Sequence, residues 1–174
     1  MSTFSLYMQS YQSMDKNEKY NLLTAQVRSL AAGETNHVGL LANVAAAMKA
    51  AFPEAFFWVG FYLVRGEELQ LGPFQGPVAC MRIAKGRGVC GTAWRENLTL
   101  IVPDVEKFAG HIACSSLSRS EIVVPIRHHR SGEVLGVIDI DSTSLQTFDQ
   151  TDGLKLEAIA KILAETIGES KNNL

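Results

Sequence analysis

The chain has no large excess of charge of either sign and no long apolar run. Its 16 lysine and arginine residues stand against 18 aspartate and glutamate residues, for a formal net charge of -2. This nearly balanced charge does not favour binding to a nucleic acid or to an anionic membrane surface. No apolar stretch approaches the roughly 20 residues of a membrane span, and the N-terminal segment lacks the basic start and apolar block of a signal peptide. We therefore expect a cytoplasmic protein without nucleic-acid or membrane partners.

Cysteine is also scarce. The chain carries three, Cys80, Cys90 and Cys114, and an odd number cannot all pair within one chain. A cytosolic compartment keeps such thiols mostly reduced. Any disulfide here is therefore expected to be transient and catalytic.

Signals for a bound metal or dinucleotide are weak. The three cysteines and His111 have the ligand types of a zinc site, yet the chain has no C-x-x-C knuckle. Residues 86–91 match G-x-G-x-x-G, but the flanking pattern is hairpin-like and not a strand-helix-strand crossover. We therefore predict neither a metal nor an organic cofactor.

The length of the chain and the absence of repeats or linkers predict a single domain over residues 1–174. Apolar residues at helical spacing predict helices, and runs of β-branched and aromatic residues predict strands. The predicted helices span residues 15–32, 36–51, 89–96 and 148–167. The predicted strands span residues 56–64, 68–74, 78–84, 98–102, 121–128 and 133–141, and a long loop covers residues 103–120.

Three acids can meet on one face of the last predicted hairpin. Side chains alternate along a strand, so Asp139 and Asp141 point to the same side. Glu121 on the preceding strand joins them only if the hairpin loop has an odd number of residues. We predict a three-residue loop over 130–132, which would pair His129 with Glu133 and bring Glu121 opposite Asp141.

The three cysteines differ in their surroundings. Cys90 lies in the first turn of the predicted helix over 89–96, where the helix field favours the thiolate. Cys80 is placed on or beside the sheet by the predicted strand over 78–84. Cys114 lies in a small, polar stretch without the periodicity of a core element, which makes it the candidate reactive thiol. His111 either activates that thiol or sits in solvent.

Several segments together resemble the single-domain GAF enzymes that reduce free methionine-(R)-sulfoxide. The resemblance covers residues 15–167 and is carried by the segments FFWVGFYL, LGPFQGPVACMRI, KGRGVCGTAW, IVPDVEKFAGHIACSSLSRSEIVVPI and GVIDIDS. It implies an α+β, GAF-like fold, with a six-stranded antiparallel sheet, helices packed on one face and a ligand pocket on the other. It also implies a homodimer.

The resemblance implies a thiol mechanism without a cofactor. Cys114 matches the nucleophile, and Cys80 matches the recycling cysteine, with Cys90 as the competing candidate. Attack on the sulfoxide converts Cys114 to a sulfenic acid, which a second thiol condenses to a disulfide. An external dithiol such as thioredoxin then reduces that disulfide. One carboxylic acid, for which Glu121 is a candidate, protonates the departing oxygen.

The same resemblance implies how a free amino acid is bound. The acids Glu121, Asp139 and Asp141 suit an ammonium group, and Trp58 suits the methyl end. Backbone N–H groups around Ile112, Ala113 and Ser115 suit the carboxylate. The alternative function is a non-catalytic GAF module that binds a small molecule or senses redox state, against which the absence of an appended output domain weighs.

Overall fold

The computed structural model describes residues 14–112 and 115–168. Ala113 and Cys114, two of the candidate site residues, therefore lie outside the described residues. Helices span α1 (Lys16–Ala31), α2 (His37–Ala51), α3 (Gly88–Glu96) and α4 (Gln150–Ile167). Strands span β1 (Trp58–Arg65), β2 (Glu68–Gln75), β3 (Arg82–Ala84), β4 (Leu100–Val102), β5 (Ser120–Arg127) and β6 (Val134–Ser142), and a 3-10 turn covers Val105–Lys107.

The strands form one six-stranded antiparallel sheet in the order β3-β2-β1-β6-β5-β4, which confirms the expected fold. The long central strands are apolar on both sides because both faces of the sheet are covered. On β5, Ile122 and Val124 are fully buried on one face, and Val123 is fully buried on the other. This two-sided burial gives the site a rigid floor.

Helices α1, α2 and α4 cover one face of the sheet, and their apolar stripes form the larger core with Ile122 and Val124. Two of these helices begin with capping boxes, formed by Asp15 and Asp149, which satisfy N–H groups that the helix itself leaves unpaired. A buried hydrogen bond of 2.7 Å from Tyr20 Oη to Asp152 Oδ1 joins α1 to α4. This layer is a scaffold, with the candidate site on the far side of the sheet.

The short helix α3 packs on the opposite face of the sheet, beside the expected pocket. Its residues Cys90, Ala93 and Trp94 join the second apolar cluster. Asn97 ends the helix in the left-handed conformation, and the Arg127 guanidinium donates to both the side chain and the backbone carbonyl of Asn97. The second core is small, and α3 supplies much of its cover.

The third strand is shorter than predicted. It covers only Arg82–Ala84, and residues 78–81 leave the sheet before it. In this segment Leu71 N–H donates to Met81 C=O, and Tyr62 Oη donates to Cys80 C=O at 2.9 Å. Cys80 therefore lies beside the sheet, next to the second apolar cluster.

The loop between β5 and β6 also differs from the prediction. His128 N–H donates to Glu133 C=O at 2.7 Å, and Gly132 N–H donates to His128 C=O at 2.9 Å. The loop therefore spans residues 129–132, one residue longer than expected, and the predicted pairing of His129 with Glu133 is wrong. Gly132 has a φ of 74°, which is the left-handed conformation expected of it.

A bulge restores the register that the longer loop would have shifted. Ile126 pairs with Gly136, whereas the next residue, Arg127, pairs with Val134. Leu135 is therefore an extra residue on β6. A register slip of one residue exchanges the two faces of a strand, so this bulge keeps the acids of β6 on the same side as Glu121.

No helix in residues 14–112 or 115–168 is long and apolar enough to cross a lipid bilayer.

Candidate active site

A cavity of about 550 Å³, including the space at its open mouth, lies between the sheet, α3 and the loop that follows β4. It is on the face of the sheet opposite the three-helix layer. Most of the described residues that the sequence singled out line it, namely Trp58, Cys90, Ile112, Ser115, Glu121, Asp139 and Asp141. The structure thus brings together segments that are far apart in the chain.

The three acids converge as the alternation predicted. Glu121 lies directly opposite Asp141, and Asp139 lies opposite Val123, in the pairing of β5 with β6. Glu121 and Asp139 are each only 6% exposed, and Asp141 is half-buried. Asp141 is therefore the acid nearest to solvent.

Burial raises the pKa of all three acids, and the neighbouring carboxyl groups add to the effect at Glu121 and Asp139. The pKa of Glu121 is raised well above its ordinary value, chiefly by burial and then by the charges of Asp139 and Asp141. Burial and the charge of Asp141 likewise raise the pKa of Asp139. The pKa of Asp141 rises to about 6 through burial, against the lowering effect of the Ser118 hydroxyl. The site therefore holds protons near neutral pH that ordinary carboxyl groups would have lost.

One carboxyl oxygen of Asp139, Oδ1, is buried without a hydrogen-bond partner among the described residues. Cys90 and Glu121 do hydrogen-bond to the Asp139 side chain, which leaves Oδ2 as the oxygen they contact. Leaving a buried acceptor unpaired costs about 1–3 kcal/mol. A donor group that enters the cavity, such as an ammonium, would remove this cost.

His111 reaches the same cluster from the loop. Its Nε2 lies 3.8 Å from Glu121 Oε2, and burial lowers the pKa of its imidazole. The raised pKa of Glu121 and the lowered pKa of His111 both disfavour an ion pair between these two side chains. The sequence left open whether His111 activates Cys114 or lies in solvent. In the structure His111 is mostly buried and lies against Glu121.

Trp58 forms an apolar wall of the cavity. Its ring stacks on Phe74 with centroids 5.2 Å apart, and its Nε1 donates to Pro77 C=O at 3.1 Å. Gly60 leaves the space for this arrangement, because a Cβ there would lie 2.4 Å from Phe74 Cβ and 2.8 Å from the Trp58 ring. The indole is therefore held in one orientation by its neighbours.

The described cysteines have different chemical states. Cys80 is disulfide-bonded and half-buried, whereas Cys90 is a free, buried thiol. The pKa of Cys90 is raised well above its usual value by burial, and then by the charges of Asp139 and Glu121. The expectation that the start of α3 favours a thiolate at Cys90 is therefore wrong, because desolvation and two acids outweigh the helix field.

Several residues that the sequence analysis did not single out also line the cavity, among them Tyr62, Arg87 and Ser118. Tyr62 follows Trp58 and Gly60 at alternate positions of β1, so strand periodicity could have identified it. Burial, followed by the charge of Asp139, raises the pKa of its phenol. Ser118 lies in an irregular loop, where no periodic signal exists.

One set of side chains has the types and spacing of metal ligands. One ligand atom each from Cys90, Glu121 and Asp139 lies within 4.8 Å of the other two. These ligands differ from those of the zinc site considered from the sequence, which were the three cysteines and His111.

Comparison with known proteins agrees with this architecture. The family model described as "GAF domain" matches residues 36–168. The chain is 58% identical over 149 residues to GAF domain-containing protein A of Dictyostelium discoideum, covering 85% of this chain and 92% of that one. It is 43% identical over 157 residues to the free methionine-R-sulfoxide reductase of Escherichia coli, covering 88% and 93%.

A solved structure makes the same connection. The free methionine-R-sulfoxide reductase of Neisseria meningitidis, crystallised in complex with its substrate, superposes with a TM-score of 0.84 at 51% identity. The match covers 90% of this chain and 92% of that one. By its family model and these relatives, the chain belongs to the GAF-domain family that includes the free methionine-R-sulfoxide reductases.

Proposed function

We propose that this protein reduces free L-methionine-(R)-sulfoxide to methionine with thiols as the reductant. The observation that carries the proposal is the buried acid cluster with an unfilled acceptor, Asp139 Oδ1, in a cavity walled by Trp58. The extensive similarity to proteins named free methionine-R-sulfoxide reductase supports catalysis over a non-catalytic sensor.

The cavity suits a zwitterion with an apolar tail. Asp139 Oδ1 can accept a hydrogen bond from the substrate ammonium, with Glu121 and Asp141 beside it. We assign the substrate carboxylate to backbone N–H groups of the loop at Ile112, Ala113 and Ser115. Trp58 contacts the methyl end. A peptide-bound methionine sulfoxide lacks the ammonium and would leave the acids without their partner.

We assign the attack on the sulfoxide to Cys114, which lies outside the described residues. Its thiolate attacks the sulfoxide sulfur, the sulfur-oxygen bond of the sulfoxide breaks as methionine leaves, and Cys114 keeps the oxygen as a sulfenic acid. The sulfoxide sulfur gains two electrons and the cysteine sulfur loses two. Glu121, protonated because its pKa is raised, gives a proton to the oxygen as the bond breaks.

Recycling needs a second thiol, and the disulfide at Cys80 supports Cys80 for this role. Its thiol condenses with the sulfenic acid to form a disulfide and water. Cys90 is free, buried and held as a neutral thiol, so we assign it no part in the exchange. A thioredoxin-type dithiol reduces the disulfide, which suits a reducing compartment such as the cytoplasm. We expect the working form to be a homodimer.

The decisive experiment combines the protein with dithiothreitol and racemic free methionine sulfoxide. We expect half of the sulfoxide to be consumed, because only one epimer is a substrate. Cys114→Ser should abolish methionine formation in a single turnover. Cys80→Ser should keep the first turnover and lose recycling by thioredoxin. Consumption of neither epimer by the intact protein would refute the proposed activity.

A second experiment tests substrate recognition. Free methionine sulfoxide and an N-acetylated, amidated methionine sulfoxide are offered separately under the same conditions. We expect turnover of the free amino acid only. Comparable turnover of both would show that the acids do not bind an ammonium group.

A further inference from the structure

The group formed by Cys90, Glu121 and Asp139 combines two acids that the proposed reduction uses with a thiol that it does not use. One sulfur and two carboxylate oxygens lie within 4.8 Å of one another, on α3, β5 and β6. All three side chains are buried, with exposures of 4%, 6% and 6%. They face the cavity, so a small ion reaches them by the same route as a substrate.

Acidic residues that lie together are not by themselves a cation site. Here a second observation points to a cation, because Asp139 Oδ1 is buried and unpaired with the described residues. An unfilled lone pair beside a thiol and a second carboxyl group is the arrangement that a metal ion completes. The Sγ of Cys90 lies 4.0 Å from Glu121 Oε1, a separation that a modest side-chain rotation reduces to that of two ligands of one ion.

The donor atoms select the class of ion. Magnesium and calcium take oxygen ligands, and magnesium requires six in near-octahedral geometry. A thiolate with two carboxylate oxygens instead suits zinc, at about 2.3 Å from sulfur and 2.0–2.2 Å from oxygen. Three protein ligands leave the fourth tetrahedral position for water.

We propose that Zn²⁺ binds to Cys90, Glu121 and Asp139 and, by occupying the position of the substrate ammonium, inhibits the enzyme. Binding at this site does not depend on the proposed reductase function, whereas the inhibition does. The ion and the substrate amine would both use Asp139 Oδ1, so the two cannot bind together.

Cobalt(II) is the probe for the ligands, because a thiolate bound to it produces a sulfur-to-cobalt charge-transfer absorption. The full-length protein is reduced, freed of reductant without air, and titrated with Co²⁺ alone. We expect one ion per chain with the charge-transfer band. Cys90→Ser should lose the band, and the matched variant Cys80→Ser should keep it. A band that survives in Cys90→Ser, or is lost in Cys80→Ser, would overturn the assignment.

Zinc binding itself is measured by calorimetry, with near-ultraviolet circular dichroism to check that each variant is folded. Asp139→Asn removes the negative charge of the carboxylate with little change of volume and should weaken Zn²⁺ binding at least about tenfold. If Cys90→Ser does not fold, the site is tested with Asp139→Asn alone. Equal affinity of the wild type and Asp139→Asn, or no binding to the wild type, would refute the site.

Competition separates this inference from the proposed function. Free methionine should raise the apparent Kd of Zn²⁺ in proportion to its concentration, and Zn²⁺ should inhibit sulfoxide reduction competitively. Reduction that proceeds unaffected by bound Zn²⁺ would refute the inhibition and leave the reductase function standing. Zinc binding by a protein that reduces no sulfoxide would refute the proposed function and leave the metal site standing.

Discussion

Glu121 and Asp141 lie directly opposite each other on adjacent antiparallel strands, where two like charges are normally destabilising. Asp139 adds a third carboxyl group to the same face. The fold tolerates this arrangement because burial raises the pKa of each acid and keeps protons in the cluster. An entering cation, whether an ammonium group or a metal ion, can take the place of those protons.

The first prediction concerns Glu121 as the proton donor. Glu121→Gln keeps the shape of the side chain but removes the acidic proton, so the rate of a single turnover should fall by about 10²- to 10⁴-fold. Rapid-quench measurement of methionine formation tests this. Glu133→Gln, on the exposed hairpin loop, is the matched control and should react at the wild-type rate. A wild-type rate in Glu121→Gln would assign the proton transfer to another group.

The second prediction concerns the pH dependence of stability. The folded protein binds protons at Glu121, Asp139 and Asp141 more tightly than the unfolded chain does, since all three pKa values are raised. Their contribution is fully present below the unfolded values near pH 4 and is lost as pH rises through the folded values, which for Asp141 is about 6. The free energy of unfolding should therefore fall between about pH 4 and 7.

Asp139→Asn tests the origin of that slope. Each group that stays protonated only in the folded state contributes a slope of about 1.4 kcal/mol per pH unit, so the variant should show a shallower decline in urea-unfolding measurements. Asp149 is the control, because its pKa is lowered to about 2, first by its hydrogen bond with Lys16. Its stabilising effect is lost as pH falls below about 4, so Asp149→Asn should leave the slope above pH 4 unchanged.

The third prediction concerns the reactivity of Cys90. Its thiol is buried and its pKa is raised, so in the reduced, folded protein iodoacetamide should label it at least about tenfold more slowly than in urea. Mass spectrometry of the labelled peptides measures each cysteine separately. Equal labelling of Cys90 in the folded and unfolded protein would contradict the assignment of Cys90 as an unreactive thiol.

The fourth prediction concerns two glycines for which substitution by alanine should have opposite effects on stability. Gly132 has a φ of 74°, so Gly132→Ala should lower the free energy of unfolding by about 1 kcal/mol. Gly153 lies in α4, and a Cβ there would meet Ile101 Cδ1 at an ordinary 3.5 Å. Gly153→Ala should therefore raise stability by roughly 0.5 kcal/mol. Thermal or urea unfolding of both variants measures the change in the free energy of unfolding. A change in the same direction for both variants would contradict the prediction.

The acid cluster shows how far sequence reasoning reached. Alternation placed Glu121, Asp139 and Asp141 on one face, and the observed pairing confirms this. The predicted three-residue loop was one residue too short. The bulge at Leu135 compensates for the extra loop residue and keeps Glu121 opposite Asp141. Periodicity reports which face a side chain is on, whereas it does not report where an extra residue is inserted.

The sequence by itself determined most of the helices and strands, the shared face of Asp139 and Asp141, and the family resemblance, because side-chain alternation and short motifs are local properties of the chain. Only the tertiary structure decided the raised pKa values of the acids, the unpaired oxygen of Asp139 and the buried, neutral thiol of Cys90. Those properties depend on desolvation and on charges contributed by α3, β5 and β6 together. A residue that favours a thiolate at the start of an isolated helix is thus held as a neutral thiol once the helix packs over buried acids.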